Sequence, residues 1–251
     1  MRSYQDLVAE AEQADVTGWG FAWLDGRATE ERPPWGYARL LGEKLPQAKS
    51  ALDLDTGGGE IIAEMPHLPE RMTVTEAWAP NAAVARRTLE PRGVDVVQTG
   101  TDRLPFADAT FDLVTSRHPV QPHWTEIARV LTDGGTYFAQ HVGPGSAFEV
   151  CEYFLGPLPE NRKARDPRTE AEDARGAGLE VTQVQTARCR MEFYDVGAMV
   201  WILRKCVWWV PDFEVARYEG RLRALDASMR DGEPFVAHST RTLIKARRRP
   251  R

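Results

Sequence analysis

The chain has 251 residues, of which 42% are hydrophobic and 27% charged, a composition typical of a globular protein with a substantial core. Its 37 acidic and 32 basic residues give a net charge of −5, so the molecule as a whole is not built to attract nucleic acid. Three widely spaced cysteines without a C-x-x-C pair indicate reduced, mostly buried thiols. No signal peptide or apolar run of membrane-spanning length is recognisable, so we expect a cytoplasmic protein.

The N-terminal part is predicted to be a helical and aromatic cap segment over residues 1–49, ahead of a main domain over residues 50–251. Residues 3–14 have the pattern of a short helix, and Tyr37–Leu45 has helical spacing. Between them, the stretch from Trp19 to Tyr37 is rich in aromatic residues, Gly and Pro and is expected to be irregular. Its aromatic side chains need a surface to bury against, so it either closes over a ligand as a lid or packs on the flank of the sheet.

From residue 50 onward, short β-like runs alternate with helical ones. The predicted strands are Ala51–Leu54, Met72–Glu76, Asp95–Gln98, Phe111–Thr115 and Thr136–Val142. The predicted helices between them are Glu60–Met65, Asn81–Glu90 and Trp124–Leu131. Strands separated by helices in this way imply βαβ units, and therefore a parallel sheet with right-handed crossovers.

The last third of the chain predicts two long strands, Leu179–Glu192 and Phe235–Ala246, with a helical insert at about 194–232 between them. Apolar residues recur in the insert at the three- and four-residue spacing of an amphipathic helix, namely Val215, Tyr218, Leu222, Leu225 and Met229. The basic run that begins at Lys245 is interpreted as a solvated tail.

The first predicted strand runs into a glycine loop, within A-L-D-L-D-T-G-G-G-E. Glycines at the carboxyl end of a parallel strand let the backbone approach a ligand closely. Glu76 ends the next strand, 19 residues after Gly57, at the offset where an acidic side chain accepts hydrogen bonds from a ribose. Trp78 follows and is placed to lie against an adenine ring, although tryptophans in such positions also close hydrophobic cores.

Four strings in order resemble the class I S-adenosylmethionine-dependent methyltransferases, most closely the small-molecule branch known as methyltransferase type 11. They are L-D-L-D-T-G-G-G-E, T-E-A-W, D-R-L-P-F-A-D-A-T-F-D-L-V-T-S-R-H and E-I-A-R-V-L-T-D-G-G-T-Y-F, within about residues 35–145. The resemblance implies an α/β fold with a Rossmann-like, mostly parallel seven-stranded sheet, helices on both faces, an antiparallel last strand and a helical insert before it. It also implies S-adenosylmethionine as the cofactor.

Carried over position by position, the resemblance assigns a set of cofactor-binding residues. They are Asp53, Asp55, Thr56, Gly57, Gly59, Glu76, Ala77, Trp78, Thr101, Asp102, Arg103, Ser116 and Arg117. Two positions depart from the family pattern. Asp55 stands where the first glycine of the loop is expected, and Gly100 stands where an aspartate would contact the adenine amino group, so that Asp102 either substitutes for it or only caps a turn.

Two histidines that follow predicted strands are candidates for a general base, His118 in S-R-H-P and His141 in F-A-Q-H-V. Either one is alternatively a hydrogen-bonded structural histidine. The prolines between His118 and His123 forbid the helical spacing that would pair the two on a metal, and no metal site is assigned. The acceptor is expected between the strand ends that carry the two candidates and the insert around Met199–Trp209.

Three function classes remain open. An enzyme that methylates the oxygen, nitrogen or carbon of a small molecule is favoured by the acidic net charge and the apolar insert. An RNA methyltransferase would use the basic C-terminal run with Arg162, Lys163, Arg165 and Arg168, but no RNA-binding module is recognisable. The altered glycine loop also fits a cofactor-binding protein without catalysis. We expect neither nucleic-acid nor membrane partners, and the sequence does not indicate an oligomeric state.

Overall fold

The computed structural model describes residues 2–159 and 164–250. Its helices are α1 (Tyr4–Gln13), α2 (Tyr37–Lys44), α3 (Glu60–Ala63), α4 (Ala79–Leu89), α5 (Trp124–Val130), α6 (Phe148–Leu155), α7 (Pro167–Gly176), α8 (Val196–Lys205) and α9 (Val215–Arg230). Its strands are β1 (Ala28–Glu30), β2 (Ser50–Leu54), β3 (Arg71–Glu76), β4 (Val94–Gln98), β5 (Phe111–Arg117), β6 (Leu131–Val142), β7 (Leu179–Phe193) and β8 (Phe235–Arg248).

The strands form one sheet in the order β1-β7-β8-β6-β5-β2-β3-β4. The run from β6 to β4 is parallel, whereas β8 pairs with β6 in the antiparallel sense. This confirms the predicted Rossmann-like sheet with an antiparallel last strand. The carboxyl ends of β2, β3, β4, β5 and β6 therefore meet at one edge, where a doubly wound sheet binds its ligands.

Over the residues that the structure describes, the sheet has eight strands, one more than predicted. The additional strand, β1, lies in the stretch expected to be irregular and pairs antiparallel with the end of β7, with Ala28 opposite Phe193. Three residues, A-T-E, carry no alternating apolar pattern. Their extended conformation depends on hydrogen bonds to a partner strand more than 160 residues away in the sequence. The local sequence pattern therefore could not predict this strand.

Helices cover both faces of the parallel sheet, as predicted. On one face, Leu41 of α2 and Leu89 of α4 share a core with Val74, Phe138 and Leu243 of the strands. On the other face, α5 and α7 pack against Leu52, Val114, Tyr137 and Ile244. Because β2 is covered on both faces, all five of its residues are buried, including the polar residues Ser50 and Asp53.

The described chain divides into two compact units. The larger unit comprises Pro33–Pro144, Arg165–Ala187 and Arg241–Arg251, and the smaller comprises Met1–Arg32, Gly145–Ala164 and Arg188–Thr240. The smaller unit has its own core, formed by α1, α6, α8 and α9. The predicted insert thus consists of α8 and α9, while the predicted boundary between residues 49 and 50 stays a prediction. Within the described part of the chain, no helix combines the length and apolar character needed to cross a membrane.

The basic C-terminal run is not a solvated tail, as the sequence had suggested, since β8 continues to Arg248. Arg248 is buried, and its guanidinium donates hydrogen bonds to the backbone carbonyls of Arg129 and Leu131. The pattern of basic residues was misleading because an arginine can bury its aliphatic stem while the charged group finds carbonyl partners.

Candidate functional site

The first predicted site residue, Asp53, is buried near the end of β2. Its Oδ1 accepts a hydrogen bond of 2.6 Å from the Thr115 hydroxyl on the neighbouring strand β5. Burial raises the pKa of the Asp53 carboxyl from 3.8 to about 6, because a charge is costly away from water, and the bond from Thr115 only partly offsets this effect. Asp53 therefore braces two strands beneath the glycine loop.

The loop after β2 turns through three residues with left-handed backbone, Asp55 at φ 54°, Gly57 at φ 66° and Gly59 at φ 83°. Asp55 thus adopts the conformation of the glycine that it replaces. A side chain at Gly59 would place its Cβ 2.6 Å from Leu89 Cδ1 of α4, so only glycine lets the loop pack there. Thr56 lies between these turns, and its backbone N–H donates to the Thr75 carbonyl at 2.9 Å.

Asp55 lies in an acidic environment. Burial, with a smaller contribution from the Glu76 carboxylate, raises the pKa of its carboxyl from 3.8 to about 6, against the opposite effect of His123. A buried carboxyl group beside a second carboxylate makes a site that favours a positively charged ligand.

Glu76 ties the glycine loop to the end of β3. Its Oε2 accepts a 2.9 Å hydrogen bond from Gly57 N, and its Oε1 accepts one of 2.9 Å from Trp78 N. Each carboxylate oxygen can accept a second hydrogen bond. The structure therefore places Glu76 next to the loop, as the spacing predicted, with capacity left for a ligand hydroxyl.

Beyond β3, the chain exposes Ala77 and Trp78 before α4 begins, and the Trp78 side chain is 56% exposed. The residue that follows β4 lies next to the end of β3, because the Thr99 backbone N–H donates a hydrogen bond to the Glu76 carbonyl at 3.1 Å. A Cβ on Gly100 would lie 2.9 Å from Asp102 Oδ1. The Asp102 carboxylate thus lies where the side chain of the expected aspartate would begin, with Thr101 and Arg103 on either side of it.

The connection between β4 and β5 contains no helix and is held by α5. Glu126 Oε2 accepts from Leu104 N at 2.7 Å. Arg129 donates to the carbonyls of Leu104 at 3.0 Å and Phe106 at 2.7 Å, and its Nε bonds to Glu126. This clamp was missed at the level of sequence, although Glu126 and Arg129 stand three residues apart on a predicted helix, where they share a face.

At the end of β5, Ser116 and Arg117 have different surroundings. The Ser116 hydroxyl donates a hydrogen bond to the Leu54 carbonyl at 3.1 Å. The backbone carbonyl of Ser116 accepts a hydrogen bond from Tyr37 OH at 3.2 Å. Ser116 is buried, whereas Arg117 is exposed. Ser116 can therefore shape the edge of the sheet, but its hydroxyl already has a protein partner.

His118 is held by a chain of hydrogen bonds from the N-terminal segment. Trp35 Nε1 donates to Gln140 Oε1 at 2.8 Å, and Gln140 Nε2 lies 2.9 Å from His118 Nε2. An indole can only donate, so the Gln140 amide must point its NH₂ group at the imidazole, and His118 Nε2 must accept. His118 is therefore the tautomer with its proton on Nδ1.

Charge and burial keep the His118 imidazole neutral. The backbone of His118 is left-handed at φ 62°, and the backbone N–H of His118 donates a hydrogen bond to the Gln140 carbonyl at 2.7 Å. Burial lowers the pKa of His118 well below 6.5, and the guanidinium groups of Arg241 and Arg117 lower it further. A group with an occupied Nε2 and a depressed pKa is a weak proton acceptor near neutral pH.

His141 is buried, and both of its ring nitrogens have protein partners. Its Nδ1 lies 2.8 Å from Glu170 Oε2, and its Nε2 lies 2.9 Å from Tyr137 OH. Since Gln140 and His141 are successive residues of β6, their side chains point to opposite faces of the sheet. The two candidate histidines therefore belong to different networks, and a general-base role for either stays a prediction.

Together, the predicted residues form two groups at the carboxyl edge of the larger unit. Asp53, Asp55, Gly57, Glu76 and Trp78 meet around the ends of β2 and β3, with Asp102 beside them. Arg117 and His118 lie at the end of β5. Among the residues that the structure describes, no three His, Cys, Asp or Glu side chains come together as a metal site.

Comparison with known proteins gives a family match for the core of the larger unit. A protein-family model described as a methyltransferase domain matches residues 52–139, which run from β2 to β6 and include the glycine loop and Glu76. A search of curated protein sequences found no match. The resemblance to methyltransferases is confirmed by this match over residues 52–139, and similar solved structures share the fold.

Three of these structures illustrate the range of the fold. A candidate methyltransferase from Bacillus halodurans C-125 is 19% identical, with 83% of this chain and 99% of that chain covered and a TM-score of 0.60. Geranyl diphosphate C-methyltransferase from Streptomyces coelicolor A3(2), solved with Mg²⁺, geranyl diphosphate and S-adenosyl-L-homocysteine, is 15% identical, with 84% and 78% covered and a TM-score of 0.52. The cyclase SpnF is 17% identical, with 84% and 81% covered and a TM-score of 0.52.

Proposed function

We infer that this chain is a class I S-adenosylmethionine-dependent methyltransferase that acts on a small molecule. The observation that carries the inference is the link between Glu76 and the glycine loop, inside the segment that matches the methyltransferase domain. A carboxylate that organises a glycine turn and keeps free acceptor capacity suits a ligand with a ribose diol.

The acidic group of residues would hold the cofactor. Glu76 would accept hydrogen bonds from the ribose hydroxyls, and Trp78 and Asp102 would contact the adenine. The turn from Asp55 to Gly59 would surround the methionine part, with the Asp55 carboxylate near its ammonium group. The bound cofactor supplies an activated methyl group on a sulfonium, which is transferred by in-line displacement.

For such a reaction the protein must align two reactants and exclude water. The ends of β5 and β6 support this role, since two buried hydrogen bonds lie there, one from Trp35 to Gln140 and one from Tyr37 to the Ser116 carbonyl. The occupied Nε2 of His118 and the two occupied ring nitrogens of His141 favour positioning of the acceptor over proton abstraction by either imidazole. The acceptor would thus be a group that loses its proton to water or needs no base, and the predicted role of the insert as a pocket wall stays a prediction.

Support for a small acceptor comes from the acidic net charge of the chain and from the Streptomyces neighbour, whose structure contains geranyl diphosphate. The alternative of an RNA methyltransferase has less support. Of its basic residues, Arg162 and Lys163 lie outside the described residues, Arg165 donates to the Pro119 and Val120 carbonyls, and the C-terminal run belongs to β8.

A cofactor-binding protein without methyl transfer is the second alternative, because the neighbour SpnF is described as a cyclase and Asp55 departs from the usual loop. Two measurements separate the three options. Calorimetry with S-adenosylmethionine and its demethylated product tests cofactor binding. Incubation with methyl-labelled cofactor and a cell extract, separated into small-molecule and RNA fractions, tests transfer.

We expect cofactor binding, with label appearing in the small-molecule fraction. Label confined to RNA would replace the proposal with the first alternative. Binding without transfer to either fraction would favour the second alternative, and absence of binding to both S-adenosylmethionine and its product would refute all three.

A further inference from the structure

The part of the site that would receive the acceptor carries two arginines on one face of the sheet. Arg117 of β5 is aligned with Gln140 of β6, and Arg241 of β8 is aligned with Val142 of β6. Aligned residues on neighbouring strands share a face, and residues two apart on one strand share it as well. Arg117, Gln140 and Arg241 therefore lie on the same face at the carboxyl edge.

A third guanidinium group lies over the residues that follow His118. Arg165 donates to the carbonyl oxygens of Pro119 and Val120, each at 3.4 Å. The effect of these groups is visible at His118 itself: Arg241, Arg117, His141 and Arg165 each lower the pKa of its imidazole, after the larger effect of burial. The surroundings of His118 thus have a positive potential, in a chain whose net charge is −5.

His118 contributes a hydrogen-bond donor to these surroundings. Its Nε2 accepts from Gln140, so Nδ1 carries the proton. The imidazole cannot rotate to exchange the two nitrogens without losing the bond to Gln140, which Trp35 in turn holds in place. A neutral N–H fixed beside guanidinium groups is a donor set for an oxyanion, because guanidinium and oxyanion form short, charge-assisted hydrogen bonds.

We propose that the acceptor carries an oxyanion, a carboxylate or a phosphate, which is bound by Arg117, Arg241 and the Nδ1–H of His118. The inference rests on the proposed function and specifies the class of substrate for the same site. Gln140 is then a positioning residue, since it fixes the imidazole without touching the ligand.

The test uses the full chain loaded with S-adenosyl-L-homocysteine, into which inorganic pyrophosphate or succinate is titrated at constant ionic strength. We expect saturable binding of at least one of these anions by calorimetry. Arg117→Gln and Arg241→Gln should each weaken it about tenfold, as expected for loss of a charge-assisted hydrogen bond. Arg87→Gln is the matched control, because Arg87 is an exposed arginine near the C-terminal end of α4 and its substitution changes the net charge by the same amount.

Two variants of His118 separate its donor role from its mere presence. Asparagine tolerates the left-handed backbone and carries an N–H donor near the position of Nδ1, so His118→Asn should bind the anion nearly as well as the unmodified protein. His118→Ala should bind about tenfold more weakly. Equal weakening by both variants would remove the N–H donor from the proposal.

The outcomes distinguish this inference from the proposed function. Absence of S-adenosyl-L-homocysteine binding in the unmodified protein would refute the proposed function, and the inference with it. Two results would refute the oxyanion site alone. The first is cofactor binding without saturable binding of either anion. The second is anion binding that is as little affected by Arg117→Gln and Arg241→Gln as by the control Arg87→Gln. Titration of each variant with S-adenosyl-L-homocysteine verifies that it is folded.

Discussion

The ends of β2 and β3 and the ends of β5 and β6 lie along the same edge of one sheet, but they carry opposite charge. The first region gathers Asp53, Asp55 and Glu76, and two of these carboxyl groups have pKa values raised to about 6. The second region gathers Arg117 and Arg241 around an imidazole that stays neutral. In the proposed function, one backbone architecture would supply two sites for ligands of opposite charge, with the side chains at the strand ends determining which ligand each region attracts.

The largest expected effect concerns the acidic region. Glu76→Ala leaves the N–H groups of Gly57 and Trp78 without their partner and removes the proposed ribose acceptor. We expect the affinity for S-adenosyl-L-homocysteine to fall about hundredfold, which corresponds to about 2.7 kcal/mol and is within the range for charge-assisted hydrogen bonds. Calorimetry measures the change, while pyrophosphate binding to the basic region should remain.

Glu60→Ala is the matched control for this variant. Glu60 is an exposed acid at the start of α3, and its removal changes the net charge by the same amount. If the affinities of Glu76→Ala and Glu60→Ala for S-adenosyl-L-homocysteine both lie within about twofold of the unmodified protein, Glu76 does not belong to the cofactor site.

A second prediction uses pH, because burial raises the pKa of the Asp55 carboxyl towards neutrality. The folded-state pKa of Asp55 is raised from 3.8 to about 6 by burial and by Glu76, against the effect of His123. A raised acid pKa means that the folded protein binds more protons than the unfolded chain between these values, so stability without cofactor falls as the pH rises from about 4 through about 6. Urea unfolding at pH 5 and pH 7.5 measures this decrease.

Cofactor affinity should change in the opposite direction. The ionised Asp55 carboxylate attracts the ammonium group of the cofactor, so affinity should rise about tenfold between pH 5 and pH 7. Asp55→Asn should flatten this profile. A profile that is equally steep in the variant would assign the titration to another group.

The smallest expected effect concerns the backbone of the acidic region. Asp55→Gly relieves a left-handed conformation that costs a non-glycine residue about 1 kcal/mol, and it also removes a buried carboxyl group. We expect the variant to be more stable by about 1 kcal/mol at pH 7.5 in denaturant unfolding. Ala109→Gly is the control, because Ala109 is exposed, has φ 53° and carries no charge. A destabilised Asp55→Gly would show that the carboxylate holds the loop together.

The central strands were predictable from sequence because each is a short run with apolar residues that alternates with helical segments. β2 was expected at Ala51–Leu54 and lies at Ser50–Leu54, and β3 was expected at Met72–Glu76 and lies at Arg71–Glu76. The short strand β1 was not predictable, since its three residues gain their partner only in the folded sheet. Arg248 was misinterpreted because its burial depends on carbonyl groups of residues more than 110 positions away.

The contact between Glu76 and the glycine loop could also be predicted from the sequence, because Glu76 follows the loop at a fixed spacing. The acceptor half of the candidate site could not. Trp35 and Gln140 are 105 positions apart, and no periodicity relates an indole in the N-terminal segment to an amide in β6. The protonation of His118 depends on that contact, so the sequence could suggest a histidine but not whether it donates or accepts.

The clamp on the connection between β4 and β5 has a consequence for how this protein can evolve. Glu126 and Arg129 recognise main-chain atoms of Leu104 and Phe106, so the path of the connection is independent of most of its side chains. Substitutions at positions 100 to 103 therefore leave the hydrogen-bonding atoms of this clamp unchanged.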